Sequence, residues 1–256
     1  MPAHPSLPDP LDRAGSATAA GFLHPRPRVL AVAHRGDPYR HRENTLPSIE
    51  SALAAGADAV EVDVRLTRDG VPVLLHDATL QRLWGDSRPL RSLTLDQLDA
   101  VGTGALAVPT LAAALKAVAG TSTARLLIDL DDAGPAAAAH AVVAGLGLED
   151  RAAWCGPVGA MLAVRALAPE AEIALTWTQP RLPDTALLAD LRPHYLNPPF
   201  GLANPEFVAS AHERGLAVST WTADLRRTMR RLRRAGVDSI TSNRIAVLRS
   251  VLDGHR

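Results

Sequence analysis

Residues 29 to 80 concentrate the side chains best suited to chemistry: His34-Arg35-Gly36, Glu43-Asn44-Thr45, Glu61-Val62-Asp63 and His76-Asp77. His34 and His76 each close an apolar run next to charge, where an imidazole can take up or release a proton near neutral pH. In Val60-Glu61-Val62-Asp63-Val64 a period of two puts both carboxylates on one face and the valines on the other. Carboxylates turned inward are costly unless a cation answers them, either an arginine or lysine side chain or a hard divalent ion. Leu126-Leu127-Ile128-Asp129-Leu130-Asp131 repeats the alternation and offers Asp129 as a third carboxylate. Three oxygens suit one Mg²⁺ or Ca²⁺; no cysteine is expected nearby and the histidines are needed elsewhere, which argues against a softer metal.

Two histidines, a hard metal and an arginine together suit in-line displacement at phosphorus. One imidazole deprotonates the attacking hydroxyl and the other protonates the departing oxygen, while Arg35 and the ion balance the phosphoryl charge. Glu43 precedes a helix start, where it can orient the loop, pair with Arg35 or touch substrate; Trp221 ends a strand, as a wall of the site or as core.

The elements that must position these groups follow a βα rhythm. Strands are predicted at residues 29–33, 59–66, 126–130, 152–155, 172–176, 195–197, 217–221 and 239–241, with Ala- and Leu-rich helical stretches between most of them. Helices at 46–55 and 111–119 have Thr45 and Thr110 as caps and Gly56 and Gly120 as left-handed stops. A further apolar run, 71–75, follows the second strand across Asp69-Gly70, a two-residue hairpin signal. That turn sets Arg68 opposite Val71 and therefore Asp63 opposite His76, bringing the second histidine to the carboxylates. Eight strands with helices between them favour a closed (β/α)₈ barrel of the TIM type over an open sheet. Residues 78–108 break the rhythm and read as an insertion on the barrel rim.

Composition sets the outer bounds. The 256 residues, 47% hydrophobic and 21% charged, suit one domain over 29–256 behind a proline-rich, mostly disordered leader at 1–28. Lys+Arg and Asp+Glu are both 27, so no global field recruits nucleic acid. The arginines from Arg226 to Arg234 are expected on the solvated face of an outer helix whose apolar stripe is Leu225, Met229 and Leu232. There is no run long and apolar enough to span a membrane and no secretory signal, and the one cysteine, Cys155, reads as a buried filler; a cytoplasmic location is the expectation.

In this order and spacing the motifs resemble the glycerophosphodiester phosphodiesterase family, among the phospholipase-C-like TIM barrels. The likeness is dense over 29–80, continues at Pro109-Thr110-Leu111, thins between 132 and 214, and returns at Trp221-Thr222 and Gly236-Val237-Asp238. It implies a small glycerophosphodiester as substrate, cleaved to glycerol 3-phosphate and an alcohol, with His34 and His76 as acid and base. Glu61, Asp63 and Asp129 then hold the metal, Arg35 contacts phosphate, and the neighbouring glycerol hydroxyl is the nucleophile. Asp129-Leu130-Asp131 stands where Glu-x-Lys is usual; Asp224 stands where Asn often follows Trp-Thr, and Ser242-Asn243 where Thr-Asp is common. A lyase acting on lysolipid or sphingolipid diesters and a barrel that binds phosphodiesters without turnover are the alternatives.

Overall fold

The computed structural model describes residues 28–120 and 123–254; the predicted leader, apart from Arg28, lies outside the described residues. In chain order the elements are β1 (Leu30–His34), α1 (Leu46–Ala54), β2 (Ala59–Leu66), β3 (Pro72–Leu74), β4 (Thr79–Leu80), α2 (Gln81–Trp84), β5 (Asp86–Pro89), α3 (Leu95–Asp99), α4 (Leu111–Ala119), β6 (Arg125–Asp129), α5 (Ala136–Leu146), β7 (Ala152–Gly156), α6 (Val158–Leu167), β8 (Ile173–Thr176), α7 (Thr185–Leu191), β9 (Tyr195–Asn197), α8 (Pro205–His212), β10 (Ala217–Thr220), α9 (Arg226–Ala235), β11 (Ser239–Ser242) and α10 (Ile245–Leu252). Strands β1, β2 and β6 to β11 are parallel, each paired to its neighbours, and β1 pairs with both β2 and β11. The sheet is therefore a closed eight-stranded barrel, as expected.

Alternation along each strand divides the core in two. Leu30, Val32, Ala59, Leu127, Ala153, Ala174, Tyr195 and Ala217 fill the barrel interior, while Val60, Val62, Leu126 and Ile128 face the helices outside. One step further along the same inward rows stand His34, Glu61, Asp63 and Asp129, so the barrel fills with apolar groups and ends in polar ones at the C-terminal rim of its strands.

The β1–α1 loop turns on a left-handed pair, Arg35 (φ 57) and Gly36 (φ 90). A Cβ on Gly36 would lie 2.3 Å from Ser48 Oγ and 2.6 Å from the Ser48 backbone, so only glycine lets the loop press onto α1. Ser48 ties it down, its hydroxyl accepting from Asp37 N–H (2.8 Å) and donating to Arg35 C=O (3.0 Å). Thr45 occupies the cap position of α1 without capping it: its hydroxyl donates to Arg42 C=O (2.6 Å), while a proline in the first turn removes one N–H that would need a partner. Thr110 does cap α4, accepting from Ala113 N–H (3.2 Å), but Gly120 beyond that helix stays right-handed (φ −65) instead of forming a left-handed stop.

The hairpin register differs from expectation by one residue. Val64 pairs with Leu74 and Arg65 with Val73, and Leu75 N–H donates to Asp63 C=O (3.0 Å), so Leu75 and not His76 lies opposite Asp63. The loop is longer than two residues: Gly70 N–H bonds to Thr67 C=O (3.0 Å), Thr67 N–H bonds to Val71 C=O (3.1 Å), and Gly70 takes φ +79. This is a turn followed by a left-handed bulge residue, the three-residue solution that Asp-Gly also serves. His76 lies beyond the paired strand and reaches the barrel mouth because the chain bends there.

Residues 78–108 are more than a loop. β4 and β5 form a hairpin, Thr94 and Gln97 make a reciprocal capping box on α3, and Val73, Leu75, Leu80, Leu90, Leu93, Leu98 and Val108 close a separate apolar cluster. On the far side, Met229 and Leu232 of α9 are buried as expected, whereas Leu225, at the cap position, is 51% exposed.

Candidate active site

A cavity of about 310 Å³ opens at the C-terminal mouth of the barrel. His34, Arg35, Glu61, Asp63, His76, Asp129 and Trp221 all line it, so seven of the eight residues singled out in the sequence share one space. Glu43, the eighth, stands behind them. Its Oε1 accepts from Arg35 Nη1 (2.9 Å) and from Arg82 Nη2 (2.6 Å), its Oε2 from Arg82 Nη1 (3.0 Å), and these bonds hold its carboxyl below the usual range.

Glu61, Asp63 and Asp129 come from adjacent strands, β2 and β6, and each offers an oxygen within 4.8 Å of the others. Burial, reinforced by Asp63 and Asp129, drives Glu61 well above the ordinary carboxylate range. Burial with Asp63 and Asp131 pushes Asp129 up to about 7. The nearest cation is Arg35, whose Nε lies 3.0 Å from Asp63 Oδ2, while Asn44 Nδ2 donates to the same oxygen (2.7 Å) and Arg35 N–H to Glu61 Oε2 (3.1 Å). One guanidinium against three carboxylates leaves two negative charges unanswered, and clustered oxygen donors with that deficit fit a hard divalent cation.

The expectation that no cysteine is near this cluster is corrected by the fold. Neighbouring strands bring Cys155 of β7 beside Asp129, and the thiol lines the same cavity. Burial and then the surrounding carboxylates push the thiol well above its ordinary value.

The two imidazoles are held differently. His34 Nδ1 lies 2.7 Å from Asn243 Oδ1, and its Nε2 faces the carboxylates, 3.9 Å from Glu61 Oε2. Burial first, then Arg35, lowers the pKa of His34 below the ordinary imidazole value, so it is neutral at neutral pH. His76 Nδ1 lies 2.7 Å from Asp77 Oδ1, and Arg82 Nε donates to Asp77 Oδ2 (2.7 Å). Those contacts, the arginine's foremost, bring Asp77 down to about 2. Arg82 thus joins the support of His76 to that of Arg35 through Glu43. Nothing in the sequence pointed to it, because it belongs to a four-residue helix of the rim.

Asp131 is exposed at the cavity edge and is ion-paired with Arg65, whose Nε donates to His76 C=O (2.6 Å). Trp221 is fixed by Nε1 donating to Asn197 C=O (2.9 Å). Asn197, buried at the end of β9 and lining the cavity, was not anticipated; its side-chain Oδ1 is buried without a hydrogen-bond partner among the described residues.

The sequence profile of the glycerophosphoryl diester phosphodiesterase family matches residues 34–247. The chain belongs to this family. Its profile match takes in the barrel from the end of β1 into α10, including every residue of the carboxylate cluster and both cavity histidines. Among family relatives, a glycerophosphodiester phosphodiesterase of Caldanaerobacter subterraneus is 25% identical over 230 residues, covering 84% of this chain and 94% of that one. Rat glycerophosphodiester phosphodiesterase 1 is 47% identical over 83 residues, 32% of this chain, and the match spans 25% of the rat protein's length. In three dimensions the fold is similar to a candidate glycerophosphoryl diester phosphodiesterase from Silicibacter pomeroyi, with a TM-score of 0.82, 26% identity, and 91% and 96% of the two chains covered. A phosphodiesterase from Oleispira antarctica, solved in complex with the product sn-glycerol-3-phosphate, has the same fold, with a TM-score of 0.78 at 22% identity over 89% and 98% of the chains.

Proposed function

We propose that this protein hydrolyses a glycerophosphodiester to glycerol 3-phosphate and an alcohol, using His34 and His76 as a proton-transfer pair beside a divalent cation held by Glu61, Asp63 and Asp129. The observation that carries the reading is the common cavity: imidazoles from the end of β1 and from the segment after β3 open onto the space above a three-carboxylate cluster. Family membership and the product bound to the Oleispira relative support the substrate class. A divalent cation bound there supplies positive charge against the phosphoryl oxygens.

The chain's own residues do the rest. Neutral His34, with Nε2 open to the cavity, accepts the proton of the neighbouring glycerol hydroxyl as its oxygen bonds to phosphorus. His76 gives a proton to the departing alcohol oxygen as the other P–O bond breaks, and Asp77 keeps its Nδ1 occupied so that Nε2 is the nitrogen that exchanges. In the second step the roles reverse and water opens the cyclic phosphate. Arg35, braced by Glu43, contacts the phosphate, while the Trp221 ring meets the glycerol.

A coupled glycerol 3-phosphate assay over a panel of glycerophosphodiesters, with Mg²⁺, Ca²⁺ or EDTA, tests this. Release that needs the metal and falls about 10²- to 10⁴-fold in folded His34→Ala and His76→Ala supports it. A cyclic phosphate as end product, or tight binding without turnover, overturns it.

A further inference from the structure

Behind His34 lies an arrangement whose polarity is set by one carboxylate. Asp224, in the loop between β10 and α9, accepts three hydrogen bonds from the end of β11 and the residue after it. The donors are Ser242 Oγ (3.0 Å) and Asn243 N–H (2.9 Å) to Oδ1, and Asn243 Nδ2 (2.8 Å) to Oδ2. An amide has one donating end and one accepting end, and a carboxylate only accepts. Asn243 must therefore turn Nδ2 to Asp224, which leaves Oδ1 facing His34 Nδ1 at 2.7 Å. An oxygen there requires a hydrogen on Nδ1, and a neutral imidazole protonated at Nδ1 has its lone pair on Nε2.

We propose that Asp224 is a positioning residue for the reaction: acting through Asn243, it fixes His34 in the tautomer whose Nε2 accepts a proton on the cavity side. The inference rests on the role given to His34 above. Its physical content is a polarity relay across the ends of three adjacent strands, since β10 pairs with β11 and Ser242 of β11 is paired with Ala33 of β1. With an amide at position 224, Asn243 is free to turn over and offer Nδ2–H to His34 Nδ1. The hydrogen then moves to Nε2, where it blocks proton acceptance.

The same count of donors and acceptors covers an exchange of the two side chains. Exchanging the two keeps one carboxylate and one amide in contact: a carboxylate at position 243 accepts directly from His34 Nδ1–H, and an amide at position 224 donates to that carboxylate. The exchange preserves the tautomer, whereas the amide at position 224 alone disturbs it.

The experiment uses the full chain and two readouts. Long-range ¹H–¹⁵N spectra of the imidazoles, taken without substrate and with His34 assigned from His34→Gln, report the tautomer directly. Wild type is expected to carry its hydrogen on Nδ1, with a shift toward Nε2 in Asp224→Asn and in Asn243→Ala. Asn243→Ala retains the Ser242 and backbone bonds to Asp224, so it separates the relay from loop folding. In parallel, kcat should fall about 10²-fold in both variants with KM changed less than about threefold, and the double variant Asp224→Asn/Asn243→Asp should recover to within about fivefold of wild type. A folded Asn243→Ala protein with the wild-type tautomer and kcat overturns the proposal. The spectra need no turnover, so inactivity of the wild-type protein on every diester would count against the proposed function and leave the tautomer result standing.

Discussion

At the scale of single residues, the three carboxylates act against the fold that holds them. Asp129→Asn removes one negative charge from the cluster without changing its shape. Activity is expected to drop more than about 10²-fold, because even outer-shell partners of a metal can cost nearly that much. The metal-free variant should nonetheless melt higher than metal-free wild type at pH 8, since it no longer ionises a group raised to about 7. Opposite signs in the two measurements identify a ligand; a loss in both identifies a structural salt bridge. Arg82→Ala tests the rim support: freeing Asp77 and one side of Glu43 should lower kcat about tenfold while leaving the metal requirement intact, as a titration of rate against Mg²⁺ would register. The reactive types were legible along the chain because inward alternation exposes them: Glu61, Asp63 and Asp129 were found by period alone. Arg82, Asn197 and Cys155 were not, since each enters the site through tertiary neighbours and sits in no local pattern.

At the scale of elements, two left-handed glycines do different work. Gly70 has open space where a Cβ would go, so Gly70→Ala carries only the conformational penalty, about 1 kcal/mol. Gly36→Ala meets the Ser48 backbone as well and should cost several times that, about 3 kcal/mol or more, with displacement of Arg35 and loss of activity. Urea unfolding of the two variants, read as midpoint at constant slope, checks the order. Gly70 also shows why the hairpin register was one residue off. Asp-Gly serves both a two-residue turn and a three-residue turn with a bulge, and local sequence does not choose between them. His76 reached the cavity by the bend after β3, a route the strand pattern did not contain. The barrel strands were legible to within a residue or two because each is a short apolar run. The pieces of the rim, a two-residue strand and a four-residue helix, are shorter than any period that could reveal them.

At the scale of the whole molecule, the mouth of the barrel sets how stability depends on pH. Asp129 in the folded chain lies near 7, above the ordinary carboxylate value of 3.8. A group raised in this way contributes stability that is fully present at low pH and is lost as pH climbs through its folded value. Metal-free protein should therefore lose melting temperature between about pH 4 and about pH 7, and saturating Mg²⁺ or Ca²⁺ should flatten that slope by binding only the ionised, folded cluster. Calorimetry across the range decides it; a melting temperature that rises over the interval and ignores both ions would exclude the cluster as a cation site. Closure of the sheet, which rhythm alone left in competition with an open arrangement, is what brings β1 beside β11 and hence His34 beside Asn243.

The apolar cluster under the rim has a consequence for how such a molecule diversifies. Val73, Leu80, Leu90 and Leu98 cohere among themselves, apart from the helices and the barrel lumen. One of the two histidines thus hangs from a small lodger with its own foundations, anchored to a host that folds around different side chains. Such a lodger can be resized or exchanged over evolutionary time while the host keeps its three-carboxylate cluster unchanged.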